Sequence, residues 1–252
     1  MIDLSVVIIA WNEEGRLRET LESVTWTREI VVVDSGSSDK TVEIAREFTD
    51  KVLFHPWAGY AEQKNFALAQ AASPWILSLD ADEIVSSELR GEILRVLVHN
   101  GPADGYLIPR KNVFLGRWIR HGRLYPDLQL RLFRRGRGAF RPTKVHESVE
   151  LDGQVASLQA PLIHQSYRSV DDFVARADRY STLAAHEALG QGRIGRLRNC
   201  VLRPLGRFVS MYFLHRGFLD GRHGLLLALL YGYYVFLREA KLWDASRQRR
   251  DV

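Results

Sequence analysis

Two aspartates one residue apart, Asp80 and Asp82, with Glu83 beside them, end a short apolar run, Trp75-Ile76-Leu77-Ser78-Leu79. A run of that length reads as a buried strand that stops at a polar crevice. Ligands of open α/β sheets bind at the carboxyl ends of such strands. Carboxylates spaced i, i+2 there can grip a divalent cation, and a hard cation such as Mg²⁺ takes one or two carboxylates plus substrate phosphates. The pattern suggests a metal holding a nucleotide diphosphate. A solvated turn with a helix cap is the plain alternative, so the surrounding elements must decide.

Those elements alternate. Ser5 to Ala10 (SVVIIA) is a β-branched run, hence a buried parallel strand. It ends in Trp11-Asn12-Glu13-Glu14, where Asn12 is a candidate cap for a helix carrying Leu17, Leu21 and Val24. Ile30 to Val33 predicts a second strand, ending in Asp34-Ser35-Gly36-Ser37-Ser38-Asp39, with Ser38 or Asp39 capping the next helix. Val52 to Phe54 predicts a short strand, and 59–72 a helix carrying Gln63, Lys64 and Asn65. Ser86 opens a helix that stops at Asn100-Gly101-Pro102. Alternating strands and helices over the first 80 or so residues mean a parallel sheet flanked by helices. Asn12, Asp34 and Asp80 should then share one rim. Beyond Gly101, 104–110 and 128–133 read as strands around a Gly/Arg/aromatic loop at 116–126, expected to face substrate, and the pattern is helical from Val170 onward.

Charge and composition narrow the class. A single cysteine, Cys200, excludes an intramolecular disulfide and a cysteine metal cluster, and suits a reducing cytosol. The N-terminus enters a strand with no charged leader, so no signal peptide is expected. The longest apolar run, 224–237, is shorter than the ~20 residues of a spanning helix. From Gly190 onward there are 12 Lys and Arg against 4 Asp and Glu, in a chain of net charge +5. A basic tail interleaved with apolar residues points to an anionic surface, membrane or nucleic acid.

No glycine-rich phosphate loop follows the first strand, so a nucleotide must be held by carboxylates, a metal and sheet-end loops. The series VVIIAWNEE, EIVVVDSGSSDKT, QKN and LDADE, in that order, resembles the family 2 glycosyltransferases. LRLFRR, KVHESV and LIHQSY narrow the resemblance to bacterial lipopolysaccharide-core glycosyltransferases of the WaaE/KdtX type. It covers nearly the whole chain. It implies an α/β GT-A fold, Rossmann-like with a mostly parallel sheet flanked by helices, followed by a C-terminal helical membrane-associating region. The implied domains are a catalytic domain at 1–165, divided into a nucleotide-sugar half (1–100) and an acceptor-side half (101–165), and a helical region at 166–252. The implied activity is inverting transfer of a sugar, with glucose expected, from a UDP-sugar to a lipopolysaccharide inner-core or other lipid-linked glycan. The expected location is the cytoplasmic face of the bacterial inner membrane.

The resemblance also assigns roles. Ala10, Trp11, Asn12 and Glu14 lie where relatives contact base and ribose. Asp34, followed by Ser35 and Gly36, lies where they place a carboxylate on uracil or ribose. Lys64 falls near the nucleotide, with a solvated helix lysine as the alternative. Asp82 is expected to bind a divalent cation, Mg²⁺ or Mn²⁺, directly, and Asp80 to contact ribose or a metal-bound water. Glu83 is either a support to that site or solvated. His146 and His164 are candidates for a third ligand or for structural positions. Arg131 and Arg134 are candidates to face pyrophosphate or an anionic acceptor, with a solvated strand face as the alternative. Inversion needs a base, for which Glu147 is the candidate and Asp127 the substitute; the Glu-Asp pair that many family 2 members carry there is missing. The aromatic and aliphatic residues between Phe208 and Phe236, interrupted by Arg203, Arg207, Arg216, Arg222, Arg238 and Lys241, read as amphipathic helices at a membrane interface or as a helical layer packed on protein. A nucleotidyltransferase would need a phosphate loop that Trp11-Asn12-Glu13-Glu14 does not supply. A non-catalytic nucleic-acid module would carry its charge beside stacking aromatics on the sheet; here the charge is segregated to an apolar tail, so no nucleic acid beyond the donor's nucleotide is expected.

Overall fold

The computed structural model describes residues 2–141 and 149–248. The chain forms two compact units, one of residues 1–110 and 127–164 and one of residues 111–126 and 165–252. The sequence groups 111–126 with the acceptor-side half. In the structure that segment belongs with the helices, because Ile119 and Phe114 are buried in a cluster with Phe173, Ala177 and Leu227.

The first unit begins with β1 (Ile2–Ala10), β2 (Thr27–Asp34), β3 (Val52–Phe54) and β4 (Trp75–Asp80), all parallel, in the order β3-β2-β1-β4. The period of two in a strand divides the β-branched runs between two cores. Leu4, Val6, Ile8, Val32, Leu77 and Leu79 point to one, while Val7, Val31, Val33 and Ile76 point to the other. Helices cover both faces: α1 (Leu17–Glu22), α2 (Thr41–Arg46) and α4 (Ser87–Val98) contribute to the first core and α3 (Tyr60–Ala69) to the second. Ser86 caps α4, its hydroxyl accepting from the Leu89 N–H at 3.2 Å.

Past β4 the sheet turns antiparallel, so it is mixed rather than mostly parallel. β8 (Asp127–Arg134) lies against β4, with Trp75 opposite Arg134 and Leu77 opposite Leu132. β6 (Gly105–Phe114) pairs with β8, extending further than the sequence suggests. β9 (Gly138–Phe140) and β10 (Val149–Leu151) form a separate two-stranded antiparallel sheet, and β11 (Val155–Ser157) joins β6. A strand that the sequence does not reveal, β5 (Glu83–Val85), pairs antiparallel with β12 (Leu162–Tyr167), setting His164 opposite Glu83.

In the second unit, β7 (Arg117–Trp118) folds back on the end of β6, Val113 facing Trp118. The two linking residues, Leu115 and Gly116, both have positive φ (49° and 76°), the conformation that matches the twist of a tight hairpin. Helices α5 (Val170–Gly190), α6 (Asn199–Val209) and α7 (Gly221–Gln248) form the rest, with a π-helical turn at Ser210–Leu214 and a 3₁₀ turn at Gly217–Asp220 before α7. Gly224 permits the close approach of α7 to that 3₁₀ turn, since a β-carbon there would lie 2.0 Å from the Gly217 carbonyl oxygen. Among the described residues no helix is long and apolar enough to cross a membrane.

Candidate active site

Parallel pairing brings the strand ends together as the sequence predicts. Ala10 is opposite Asp34, and Ile9 is opposite Asp80, so the loops after β1, β2 and β4 share one rim. The first two loops are laced to each other. The Asn12 N–H donates to Ser37 Oγ at 2.9 Å, and Asn12 Oδ1 accepts from the Ser38 N–H at 2.9 Å. Glu14 exchanges bonds with the other loop, donating its N–H to Asp39 Oδ2 and accepting from the Lys40 N–H, both at 3.1 Å. Asn12 is therefore not a helix cap. It sits at φ 54°, a left-handed conformation Asn tolerates, and α1 starts five residues later without a side-chain cap. Ser38 caps nothing either; Asp39 Oδ1 accepts from the Thr41 N–H at the start of α2. Trp11 is left half exposed at the rim.

Asp34 is buried, and its Oδ2 accepts from the Gly36 and Ser37 N–H groups at 2.8 and 2.9 Å. Gly36 closes this turn at φ 96°, where a side chain would be strained. Ser35 is held from below, its Oγ accepting from Gln63 Nε2 at 2.6 Å.

Gln63, Lys64 and Asn65 are adjacent on α3, so their side chains fan out by about 100° each and tie the helix to three places. Gln63 is fully buried and also bonds His55. Asn65 pairs with both backbone groups of Phe140, donating at 2.9 Å and accepting at 2.8 Å. Lys64 is not a solvated lysine. It is buried, lies 5.1 Å from the centre of the Phe140 ring, and its Nζ sits 2.8 Å from Asp80 Oδ1.

Asp80 stands at the centre of a chain of alternating charges. Its Oδ2 accepts from Arg131 Nη2, which also reaches Glu83 Oε1 at 2.7 Å. Glu83 Oε2 accepts from the Asp80 N–H at 3.0 Å. Arg110 Nη1 lies 3.4 Å from Glu83, and Arg110 Nη2 lies 2.5 Å from Asp127 Oδ2. Glu83 and Arg131 are 0% and 4% exposed, so neither faces solvent. The antiparallel register explains why only one of the two candidate arginines arrives: Arg131 approaches the Asp80 end of β4. Arg134 lies opposite Trp75 at the other end, stacked on that indole with its guanidinium carbon 4.6 Å from the ring centre. Burial by itself would raise the Asp80 carboxyl. The attraction of Arg131 and Lys64 outweighs it and holds the carboxyl well below the usual carboxylate range.

Asp82 is buried in the turn between β4 and β5, which Thr20 Oγ1 anchors by donating to the Ala81 carbonyl at 2.9 Å. His164 Nε2 lies 3.4 Å from Asp82 Oδ1. Both Asp80 oxygens face protein cations, and Asp82 and His164 place an oxygen and a nitrogen side by side. No cluster of three or more His, Cys, Asp or Glu that could hold a metal occurs among the described residues. A two-donor set still fits a cation whose other ligands are diphosphate oxygens and water. Asp127 has both oxygens occupied, Oδ2 by Arg110 and Oδ1 by Gln129 Nε2 at 2.8 Å. Glu147 and His146 lie outside the described residues. Glu83 and Arg110 are the components sequence reasoning left undecided or missed. The signal that could have found Glu83 is its place in the acidic run, but Arg110 carries none.

The family model for glycosyl transferase family 2 matches residues 5–149. The chain is 32% identical over 250 residues to the lipopolysaccharide core biosynthesis glycosyltransferase LpsC of Rhizobium meliloti, covering 96% of this chain and 93% of that protein. It is 32% identical over 266 residues to an uncharacterized glycosyltransferase of Rickettsia typhi, covering 100% and 90%. Among solved structures it resembles Staphylococcus aureus TarS 1–349, at 18% identity and TM-score 0.49 over 100% of this chain and 92% of that one. The mixed sheet between two helical layers is the GT-A arrangement. The domain match and the relatives that span almost the whole chain settle its membership: this protein belongs to glycosyl transferase family 2 and is a glycosyltransferase.

Proposed function

We propose that the protein is an inverting, metal-dependent glycosyltransferase that moves a sugar, with glucose the expected one, from a UDP-sugar to a lipopolysaccharide inner-core or related lipid-linked glycan. The observation that carries this reading is the meeting of Asp80, Asp82 and His164 with the loops of Asn12 and Asp34 on one rim. The nucleoside belongs against Trp11, Asn12, Glu14 and the Asp34–Gly36 turn, whose amides are already fixed by the two interlocked loops.

Asp82 and His164 would hold a Mg²⁺ or Mn²⁺ ion, and that ion supplies charge neutralisation on the diphosphate leaving group. Asp80, kept ionised by Arg131 and Lys64, gives the rim a fixed anion for a ribose hydroxyl or a metal-bound water. Glu83 and Arg110 brace this arrangement from the buried side, which pre-organises it before substrate arrives. The base that takes the acceptor proton is assigned to Glu147; Asp127, with both oxygens occupied, serves to fix Arg110. General bases of this kind contribute about 10²–10⁴-fold.

The acceptor class is supported by the LpsC likeness, and the membrane side by the second unit. On α6 Val201, Leu202, Leu205 and Val209 form an exposed stripe at helical spacing, 44–63% accessible, with Arg198, Arg203 and Arg207 interspersed. An apolar stripe with arginines suits a membrane interface rather than a membrane span, which supports a peripheral position on the cytoplasmic face of the inner membrane. The test is a UDP-release screen of the purified protein against several nucleotide-sugars, with Mn²⁺, Mg²⁺ or EDTA. Release from one UDP-sugar only when a divalent ion is present supports the reading; no release from any UDP-sugar in any metal contradicts it.

A further inference from the structure

Within the second unit, Arg117, Trp118, Arg120, His121, Leu219 and Asp220 line an open cavity of about 340 Å³, a size in the range of ligand sites. Two of these, Arg117 and Arg120, are cations, and a third, Lys111, reaches the Trp118 ring that forms part of the lining. Arg120 stacks on the Trp118 indole with its guanidinium carbon 4.1 Å from the ring centre, and Lys111 lies over the same ring at 4.9 Å. Arg117 reaches the start of α7, where a β-carbon on Gly221 would sit 3.9 Å from Arg117 Nη1. Among the described residues none of these three cations has a carboxylate partner.

The one acid in the cavity is already used. Asp220 is buried, accepts from the backbone N–H of Arg120 at 3.3 Å and of His121 at 2.8 Å, and lies 3.1 Å from His121 Nδ1. It pins the loop that carries the arginines instead of neutralising them. Like charges gathered around one ring repel, and a cation beside the first turn of a 28-residue helix opposes that helix's dipole. Both conflicts are relieved by the same thing, an anion in the cavity, bound by two guanidinium groups suited to phosphate geometry. Leu219, which lines the cavity, follows exposed Phe218 in the chain, and Phe213 and Leu214 a few residues earlier are exposed as well, with Leu214 72% accessible. An anion held here would have apolar surface beside it.

We propose that this cavity is a phosphate-binding subsite for an amphiphile, in which Arg117 and Arg120 grip a phosphate monoester while Leu219 and its apolar neighbours meet the lipid. The identity of the carrier rests on the lipid-linked acceptor reading; the anion site does not. The experiment uses the full chain with UDP saturating the donor site, and titrates inorganic phosphate and lysophosphatidic acid below its micelle concentration. The wild-type protein binds both, the lysolipid at least tenfold more tightly. Arg117→Gln combined with Arg120→Gln weakens both at least tenfold and leaves UDP affinity unchanged, whereas Leu219→Gln weakens the lysolipid alone. Equal phosphate binding by wild type and the double variant overturns the site, as does the absence of millimolar binding by the wild type. Equal affinity for phosphate and lysolipid overturns the lipid half. A failure of UDP itself to bind is a separate readout and counts against the donor reading only.

Discussion

Replacing Arg131 by methionine should cost more stability than any surface change, for a reason that can be worked from its neighbours. The guanidinium bridges Asp80 and Glu83 with its side chain only 5% exposed. Its removal leaves Asp80 with Lys64 at 2.8 Å, but leaves Glu83, fully buried, with Arg110 at 3.4 Å. Removing one member of a buried ion pair costs about 3–5 kcal/mol because a charge is stranded without water. At about 2–4 °C per kcal/mol for a domain of this size, the melting temperature should fall by roughly 6–20 °C. Adding Glu83→Gln removes the stranded charge, so the double variant should regain part of the loss, with a coupling of about 0.5–3 kcal/mol. Thermal unfolding followed by circular dichroism across the four-member cycle reads this directly. A single variant melting within about 2 °C of wild type, or two strictly additive losses, would refute the buried-network reasoning.

Three further outcomes are expected. Lys64→Met removes a cation that keeps the Asp80 carboxyl low. A depressed carboxyl contributes stability that is complete above its unfolded value of about 3.9 and disappears as pH falls through the folded one, so the acid-unfolding midpoint should move to higher pH; an unmoved midpoint argues against the Lys64 role. Gln63→Leu breaks the link from α3 to Ser35 and His55 and should cost about 1–3 kcal/mol while weakening UDP binding in calorimetry, which would be unaffected if the Asp34–Gly36 turn were held without it. Leu202→Gln with Leu205→Gln, both exposed, should leave the melting temperature within the ~0.5 kcal/mol expected of surface changes and lower sedimentation with anionic vesicles; undiminished sedimentation would make the stripe a protein contact.

Much of this site is legible in one dimension because parallel strands obey a simple rule. Buried runs such as SVVIIA and EIVVV declare themselves by β-branching, and parallel order then puts Asn12, Asp34 and Asp80 on one rim without further information. What the sequence hides is pairing at a distance. β5 has three residues, and only the return of β12 from nearly eighty residues later reveals it as a strand and brings His164 to Asp82. Antiparallel register is equally silent: nothing local tells Arg131, bound to Asp80, from Arg134, bound to the far end of the sheet. Asn12 misleads because Asn favours both helix caps and left-handed turns, and here the neighbouring loop decides between them. The segment 116–126 looks like loop because the partners of its Ile119, on α5 and α7, are remote in sequence.

The most direct test of the donor-site account is Mn²⁺ electron paramagnetic resonance of the protein with and without UDP, for wild type and for Asp82→Asn. The account predicts that UDP sharply increases bound Mn²⁺ in the wild type and that Asp82→Asn abolishes the increase while the protein stays folded. A UDP-dependent Mn²⁺ signal of undiminished size in Asp82→Asn would contradict it.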